Sequence, residues 1–181
     1  MNDKGETLFI NVRKGLNSKP MLVSIKEDIN KFITNKDQDW YISLYKYNED
    51  HKKHLEEHGT LAGLKDTVTN TLYFDFDNKP TKQEIDIMGA DKANAAALEK
   101  TRLEALEVAN RLVLRGFEED NIGCYFTGNK GFSIEVEIDE YITPDKFKAI
   151  TLDLAGDLST FDTVVADPNR IVTGKPLFPV K

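Results

Sequence analysis

The chain has 181 residues, 40% hydrophobic and 30% charged, and a formal net charge of −7. That suits a globular protein with a genuine core, built as a single domain over residues 1–181 or as one domain of two small lobes. No run approaches a membrane span and no charged-then-apolar leader is evident, so the expectation is an intracellular, cytoplasmic protein without membrane contact. Cys124 is the only cysteine, which excludes an intramolecular disulfide and a multi-cysteine zinc site within the chain. The acidic balance weighs against a nucleic-acid partner without excluding one, because a local cationic groove can sit on an acidic protein.

Leu8 to Val12 reads as a short strand, followed by a basic polar turn through Arg13-Lys14-Gly15 and Asn17-Ser18-Lys19-Pro20. Ser24-Ile25-Lys26-Glu27 has the capping-box pattern, and the helix it opens would put Ile25, Ile29, Phe32 and Ile33 on one stripe. Trp40 to Tyr45 is rich in aromatic and β-branched residues and reads as a strand. Asn48 then caps a short polar helix that ends at Gly59. That helix holds all three histidines, His51, His54 and His58. Spacing of three and four raises a zinc site, but His51 and His58 would lie about 10.5 Å apart along the axis, too far to share one ion. The lysines and glutamates between them read as a solvated face.

Leu72-Tyr73-Phe74-Asp75-Phe76-Asp77 carries the first chemistry. Read as a strand, it places Asp75 and Asp77 on one face behind Tyr73, their Cα atoms about 6.6 Å apart, while Phe74 and Phe76 point into a core. Paired carboxylates repel, and an apolar strand offers little water to screen them. A hard divalent cation such as Mg²⁺ or Mn²⁺ would remove that cost. The stretch alone equally describes a strand running out into the polar turn Asp77-Asn78-Lys79-Pro80.

A polar loop over residues 78–90 leads to a long helix from Asp91 to Arg115. Its apolar stripe reads Ala95, Leu98, Ala105, Leu106, Ala109, Leu112 and Val113, with Gly116 at C′ and Glu107–Arg111 as an i,i+4 pair. Cys124–Phe126 and Phe132–Ile138 read as strands joined through Thr127-Gly128-Asn129-Lys130-Gly131. In the second, Ser133, Glu135 and Glu137 alternate with Phe132, Ile134, Val136 and Ile138. The joint's two glycines let backbone amides approach an anion and Lys130 adds a cation, although many plain hairpins share this chemistry. Thr143-Pro144-Asp145 starts a last helix with Phe147, Ile150, Leu154 and Leu158 as its buried stripe. Phe161–Val165 reads as a strand, Asp167-Pro168-Asn169-Arg170 as a turn, and Thr173–Lys181 as an edge strand. Asp162 is either a third acidic ligand or a strand-start residue.

Three signals occur in a particular order: Asp-x-Asp ending a strand, a Gly-Asn-Lys-Gly-Phe turn, then Asp-x-x-Val followed by Asn-Arg. In that order, and through Asp39–Tyr45, Asn70–Asp77, Tyr125–Ser133, Asp162 and Asp167–Arg170, the chain resembles the archaeo-eukaryotic primase superfamily. It looks like the prim-pol domains of phage and plasmid replication proteins. The resemblance implies a mixed α+β prim-pol fold, a mixed or antiparallel sheet flanked by helices. It implies Asp75, Asp77 and Asp162 as catalytic ligands for one or two Mg²⁺ or Mn²⁺ ions, with no structural zinc. Asn129, Lys130, Gly131, Ser133 and Arg170 would meet the nucleotide, Arg170 alternatively a nucleic-acid backbone. The implied partners are DNA template, primer and NTP or dNTP, and the implied setting is a catalytic domain cut from a longer protein carrying a helicase.

Two departures accompany the likeness. The second motif of the family usually ends in histidine, and here that position is Ser133, which carries no positive charge. Relatives also continue past the motif's arginine with a second arginine and a basic, proline-containing loop, whereas Ile171-Val172 runs straight into Thr173-Gly174-Lys175. Such a loop is either deleted or absent from the structure, and in the second case a chain break would fall between Val172 and Thr173. The reading is template-directed nucleotidyl transfer in DNA replication, by primer extension rather than initiation. Its rivals are a non-catalytic nucleic-acid-binding relative, a metal-dependent nuclease or hydrolase, and a structural domain whose aspartates only form turns.

Overall fold

The computed structural model describes residues 7–15, 17–32, 40–127, 131–166 and 171–173. Among them the chain is mixed α+β, with two small antiparallel sheets and four α-helices. It divides into two compact units: Met1–Asn70 with Asp139–Phe147 and Ala166–Phe178, and Thr71–Ile138 with Lys148–Val165 and Pro179–Lys181.

The first unit holds a four-stranded sheet in the order β2-β1-β3-β7. Its strands are β1 (Phe9–Lys14), β2 (Met21–Ser24), β3 (Trp40–Tyr47) and β7 (Ile171–Thr173). β1 pairs antiparallel with β2 and β3, and β3 with β7. Val12, Val23 and Trp40 form one buried cluster, against which Ile10, Ile29 and Phe32 pack. Phe9, Tyr47 and Leu61 form another, with Leu22, Leu55 and Leu64 around it. Helix α1 (Glu49–His58) is capped reciprocally: His51 N–H donates to Asn48 Oδ1 at 3.0 Å and Asn48 N–H to His51 Nδ1 at 3.1 Å. Gly59 ends it in the left-handed conformation, as expected from the sequence.

Several expectations need correction here. The basic pair Arg13-Lys14 belongs to β1 rather than to a turn. The helix expected from Ser24 does not form, because Met21–Ser24 is committed to pairing with β1. Ser24 Oγ accepts from Lys26 N–H instead of from the third helical residue, and only a 3₁₀ turn follows at Ile29–Lys31, capped by Asp28. Ile29 and Phe32 still reach the core; Ile33 lies outside the described residues. His51 is not on a solvated face: it is buried, and its Nε2 lies 2.6 Å from the Lys65 carbonyl. Since Nδ1 accepts from Asn48, Nε2 donates.

The second unit is built on the sheet β4-β6-β5, with β4 (Thr69–Asp77), β5 (Ile122–Phe126) and β6 (Gly131–Ile142). β5 and β6 pair antiparallel from Ile122↔Val136 to Phe126↔Phe132. Leu72, Phe74, Phe76, Ile134 and Val136 are buried, at most 2% exposed. The stretch expected as a loop over 78–90 instead contains helix α2 (Lys82–Met88). Thr81 and Glu84 close a capping box there, a pattern legible in the sequence. Helix α3 (Ala90–Leu114) follows, and its buried face is Ala93, Ala97, Thr101, Ala105, Val108 and Leu112. The expected stripe is therefore rotated: Ala95, Leu106 and Val113 are exposed, because small residues at four-residue spacing outweigh the larger ones beside them in close packing. Its C-terminus is a Schellman motif, with Phe117 N–H donating to Leu112 C=O and Gly116 N–H to Val113 C=O, Gly116 taking φ 95°. The expected Glu107–Arg111 pair forms at 2.9 Å. Helix α4 (Pro144–Ala155) begins at the expected proline, with Thr143 Oγ1 accepting from Lys146 N–H.

Candidate active site

β4 displays its side chains on alternate faces. Phe74 and Phe76 are fully buried, so Asp75 and Asp77 turn the other way, Asp75 half-buried and Asp77 exposed. Thr160 to Asp162 then runs antiparallel along the end of this strand. Asp162 N–H donates to Asp75 C=O at 2.8 Å and Asp77 N–H to Thr160 C=O at 3.0 Å. These bonds flank an antiparallel bridge between Phe76 and Phe161, whose rings lie 5.8 Å apart. Asp162 thus stands directly opposite Asp75, at the Cα separation of about 5.5 Å typical of such pairs, with side chains on a shared face. Asp75 and Asp162, 87 residues apart in sequence, come together at the strand end that also carries Asp77, and only pairing could reveal it.

Asp162 does not sit in a full strand as expected. Its Oδ1 accepts from Val164 N–H at 2.9 Å, and the chain turns into the 3₁₀ segment Thr163–Ala166. Asp162 therefore starts a turn where the sequence left open a third acidic ligand or a strand-start residue, and the turn engages one oxygen of the group that would bind a cation. The donor chemistry of three carboxylates fits a hard divalent ion. Among the described residues, no group of three or more His, Cys, Asp or Glu side chains is arranged to hold a metal.

The end of β4 meets the start of β6. A Cβ placed on Gly131 would overlap the Phe76 carbonyl oxygen and the Asp77 carboxylate. Only glycine allows this approach, which puts Gly131 on the face of Asp77. Thr127 N–H closes the hairpin onto Gly131 C=O at 3.0 Å. Two residues on, and so on the same face, Ser133 is 1% exposed, and its hydroxyl has no hydrogen-bond partner among the described residues. Its cross-strand neighbour on β5 is Tyr125. Burial pushes the Tyr125 hydroxyl up, and the charge of Glu135 pushes it further. Asn129, Lys130 and Arg170, the expected cationic and amide partners of a triphosphate, lie outside the described residues.

Glu104, half-buried on α3, was not singled out by sequence. Its Oε2 accepts from Thr160 N–H and Thr160 Oγ1, each at 2.8 Å, and its Oε1 from Ser159 Oγ at 2.9 Å. It fastens the segment that delivers Asp162. Burial raises its carboxyl, but the hydrogen bonds from Thr160 and Ser159 outweigh burial and hold it below the usual 4.5. Arg111 ties the same helix to the end of α4, donating to Asp157 at 2.6 and 2.9 Å and to Leu154 C=O at 2.8 Å. No signal in the sequence pairs Glu104 with Thr160, 56 residues away.

Comparisons with family models, curated proteins and solved structures each found no match.

Proposed function

We propose that this chain is a prim-pol-like nucleotidyltransferase that extends a primer on a DNA template. The observation that carries the reading is the backbone pairing of Asp162 with Asp75, beside Asp77 and Gly131. It brings together four of the residues that the sequence resemblance names. Asp75, Asp77 and Asp162 would hold one or two Mg²⁺ or Mn²⁺ ions, whose chemistry when bound is to lower the pKa of an attacking hydroxyl and neutralise phosphate charge. The chain's own part is positioning. Gly131 keeps the hairpin against Asp77 with no side chain in the way of a phosphate, and Ser133 offers a buried hydroxyl to donate to one. Asn129, Lys130 and Arg170 are the further nucleotide contacts in this reading, Lys130 and Arg170 supplying positive charge.

A second reading has its own support. Ser133 lacks the charge of the histidine usual in the motif, and the described side chains form no three-ligand group. Both favour a catalytically weak relative that binds nucleic-acid ends. A primer-extension and de novo priming assay with Mg²⁺ or Mn²⁺, run beside Asp75→Ala/Asp77→Ala, separates the cases. Incorporation abolished by the double substitution is the expected result. Incorporation that survives it overturns the mechanism, template hydrolysis without incorporation points to a nuclease, and binding without turnover points to the weak relative.

A further inference from the structure

We propose that the outward face of α3 is a contact surface for a second copy of this chain, the two helices lying parallel and in register. Ala93, Ala97, Thr101, Ala105, Val108 and Leu112 seat α3 on its own core. A second apolar line runs along the same helix through Leu103, Leu106 and Val113, which are 54%, 43% and 42% exposed, with Leu114 beside it at 86%. At about 3.6 residues per turn the two lines fall on opposite sides of the helix. The solvent face of a surface helix is ordinarily polar, and an exposed apolar line of this kind marks an interaction surface.

Spacing decides how the face is covered. Leu103, Leu106, the exposed Asn110 and Val113 follow one another at intervals of three, four and three residues, the a and d positions of a heptad. This is the seam along which two helices pack knobs into holes. Because α3 is already folded against its own core, pairing bears no cost of helix formation. Toward the N-terminus the seam stops at Glu99, which occupies the preceding d position. A seam of this length buries less than a permanent interface does, so the dimer is reversible and its population follows concentration.

Charge and polarity name the occupant. Arg102 precedes the first a position and Glu107 follows the next d, which makes them g and e residues, both exposed. In a parallel, in-register pair, Arg102 faces Glu107 of the second copy, and symmetry makes the contact twice. Leu114, at the following e position, covers Ala109 of the second copy. Asn110 meets its own counterpart, the polar a-position pairing that fixes register and a two-stranded state. The reversed arrangement is unfavourable, because it sets Asn110 against Leu106 and Glu107 against Glu107. Within one chain Arg102 pairs with Glu99 at 2.6 Å and Glu107 with Arg111 at 2.9 Å. Exposed ion pairs of this kind contribute little and are readily exchanged. The face uses none of the residues assigned to nucleotidyl transfer, so the two readings fail separately.

Sedimentation equilibrium of the full chain over a concentration series tests this. Wild type is expected to move from monomer to dimer mass as concentration rises. Leu103→Lys/Leu106→Lys is expected to stay monomeric throughout with an unchanged circular dichroism spectrum, since both positions are exposed. Arg102→Glu and Glu107→Arg are each expected to weaken the dimer about tenfold by setting like charges across the seam. Combining them is expected to restore wild-type association, which a merely destabilised helix would not do. Wild type that is monomeric at every concentration leaves the face to a different protein and overturns the proposal. So does a dimer that survives Leu103→Lys/Leu106→Lys, or a pair of charge variants whose combination associates no better than either alone.

Discussion

At the scale of single residues, Gly131 and Ser133 make opposite predictions from the same strand. Gly131 has no room for a methyl group, because the Phe76 carbonyl and the Asp77 carboxylate already occupy its position. Gly131→Ala is expected to destabilise the fold by about 1–3 kcal/mol, the usual range for overpacking. A shifted urea midpoint at unchanged m-value would measure it, and wild-type stability would mean that the contact is not fixed. Ser133 is the reverse case. Its buried hydroxyl has no partner among the described residues, so Ser133→Ala loses no hydrogen bond and sheds a desolvated polar group. The expectation is stability equal to or above wild type together with weaker triphosphate binding, read as a raised KM for nucleotide in primer extension. A less stable Ser133→Ala would show that the hydroxyl is structural. Both arguments became possible only with neighbours in view, since the sequence marks Gly131 and Ser133 as motif positions but not what they touch.

At the scale of elements, the strand bearing Asp75 and Asp77 and the strands on either side of residues 127–131 were legible because alternation is local. β4, β6 and α1 fall where their patterns place them, with the boundaries moved by a few residues. What misled was competition between neighbours. Ser24 carries a sound capping box, yet pairing with β1 claims it for β2. On α3, residue size misled, since the buried stripe runs through alanines and a threonine. The attachment of Thr160–Asp162 to β4 was illegible for a different reason: its anchor, Glu104, lies on a helix 56 residues earlier than Thr160. That anchor predicts a pH dependence. The folded-state pKa of Glu104 is below the ordinary 4.5, because the hydrogen bonds from Thr160 and Ser159 outweigh burial. The unfolded chain therefore binds more protons in this window, and stability rises with pH through it. The contribution is fully present above about 4.5 and is lost as pH falls through the lower folded value. Glu104→Gln is expected to be about 1 kcal/mol less stable at pH 7, with the gap closing in acid. Urea unfolding at pH 7 and at pH 3 checks this, and a gap independent of pH would assign the effect to packing instead.

At the scale of the whole molecule, the acidic chain meets its own chemistry. A net charge of −7 does not favour polyanions, and Asp75, Asp77 and Asp162 add local repulsion where β4 ends. If those carboxylates exist to hold cations, the folded protein carries a cost that divalent metal relieves, because an ion that binds only the native state stabilises it by mass action. At a metal concentration 100 times the dissociation constant that is about 2.7 kcal/mol, or roughly 5–10 °C in Tm for a domain of this size. Mn²⁺ or Mg²⁺ is therefore expected to raise the melting temperature of wild type, with Ca²⁺ and added NaCl as controls for ion size and general screening. Asp75→Asn/Asp77→Asn removes the repulsion and the ligands together. It is expected to melt at or above metal-free wild type and to show no response to metal. The two halves of that result test different claims. A metal response that persists in the double variant moves the cation elsewhere, and a variant that melts well below wild type gives the carboxylates a structural task in β4. Stabilisation of wild type alone, with incorporation lost in the variant, joins the stability of the fold to its proposed chemistry through the same two side chains.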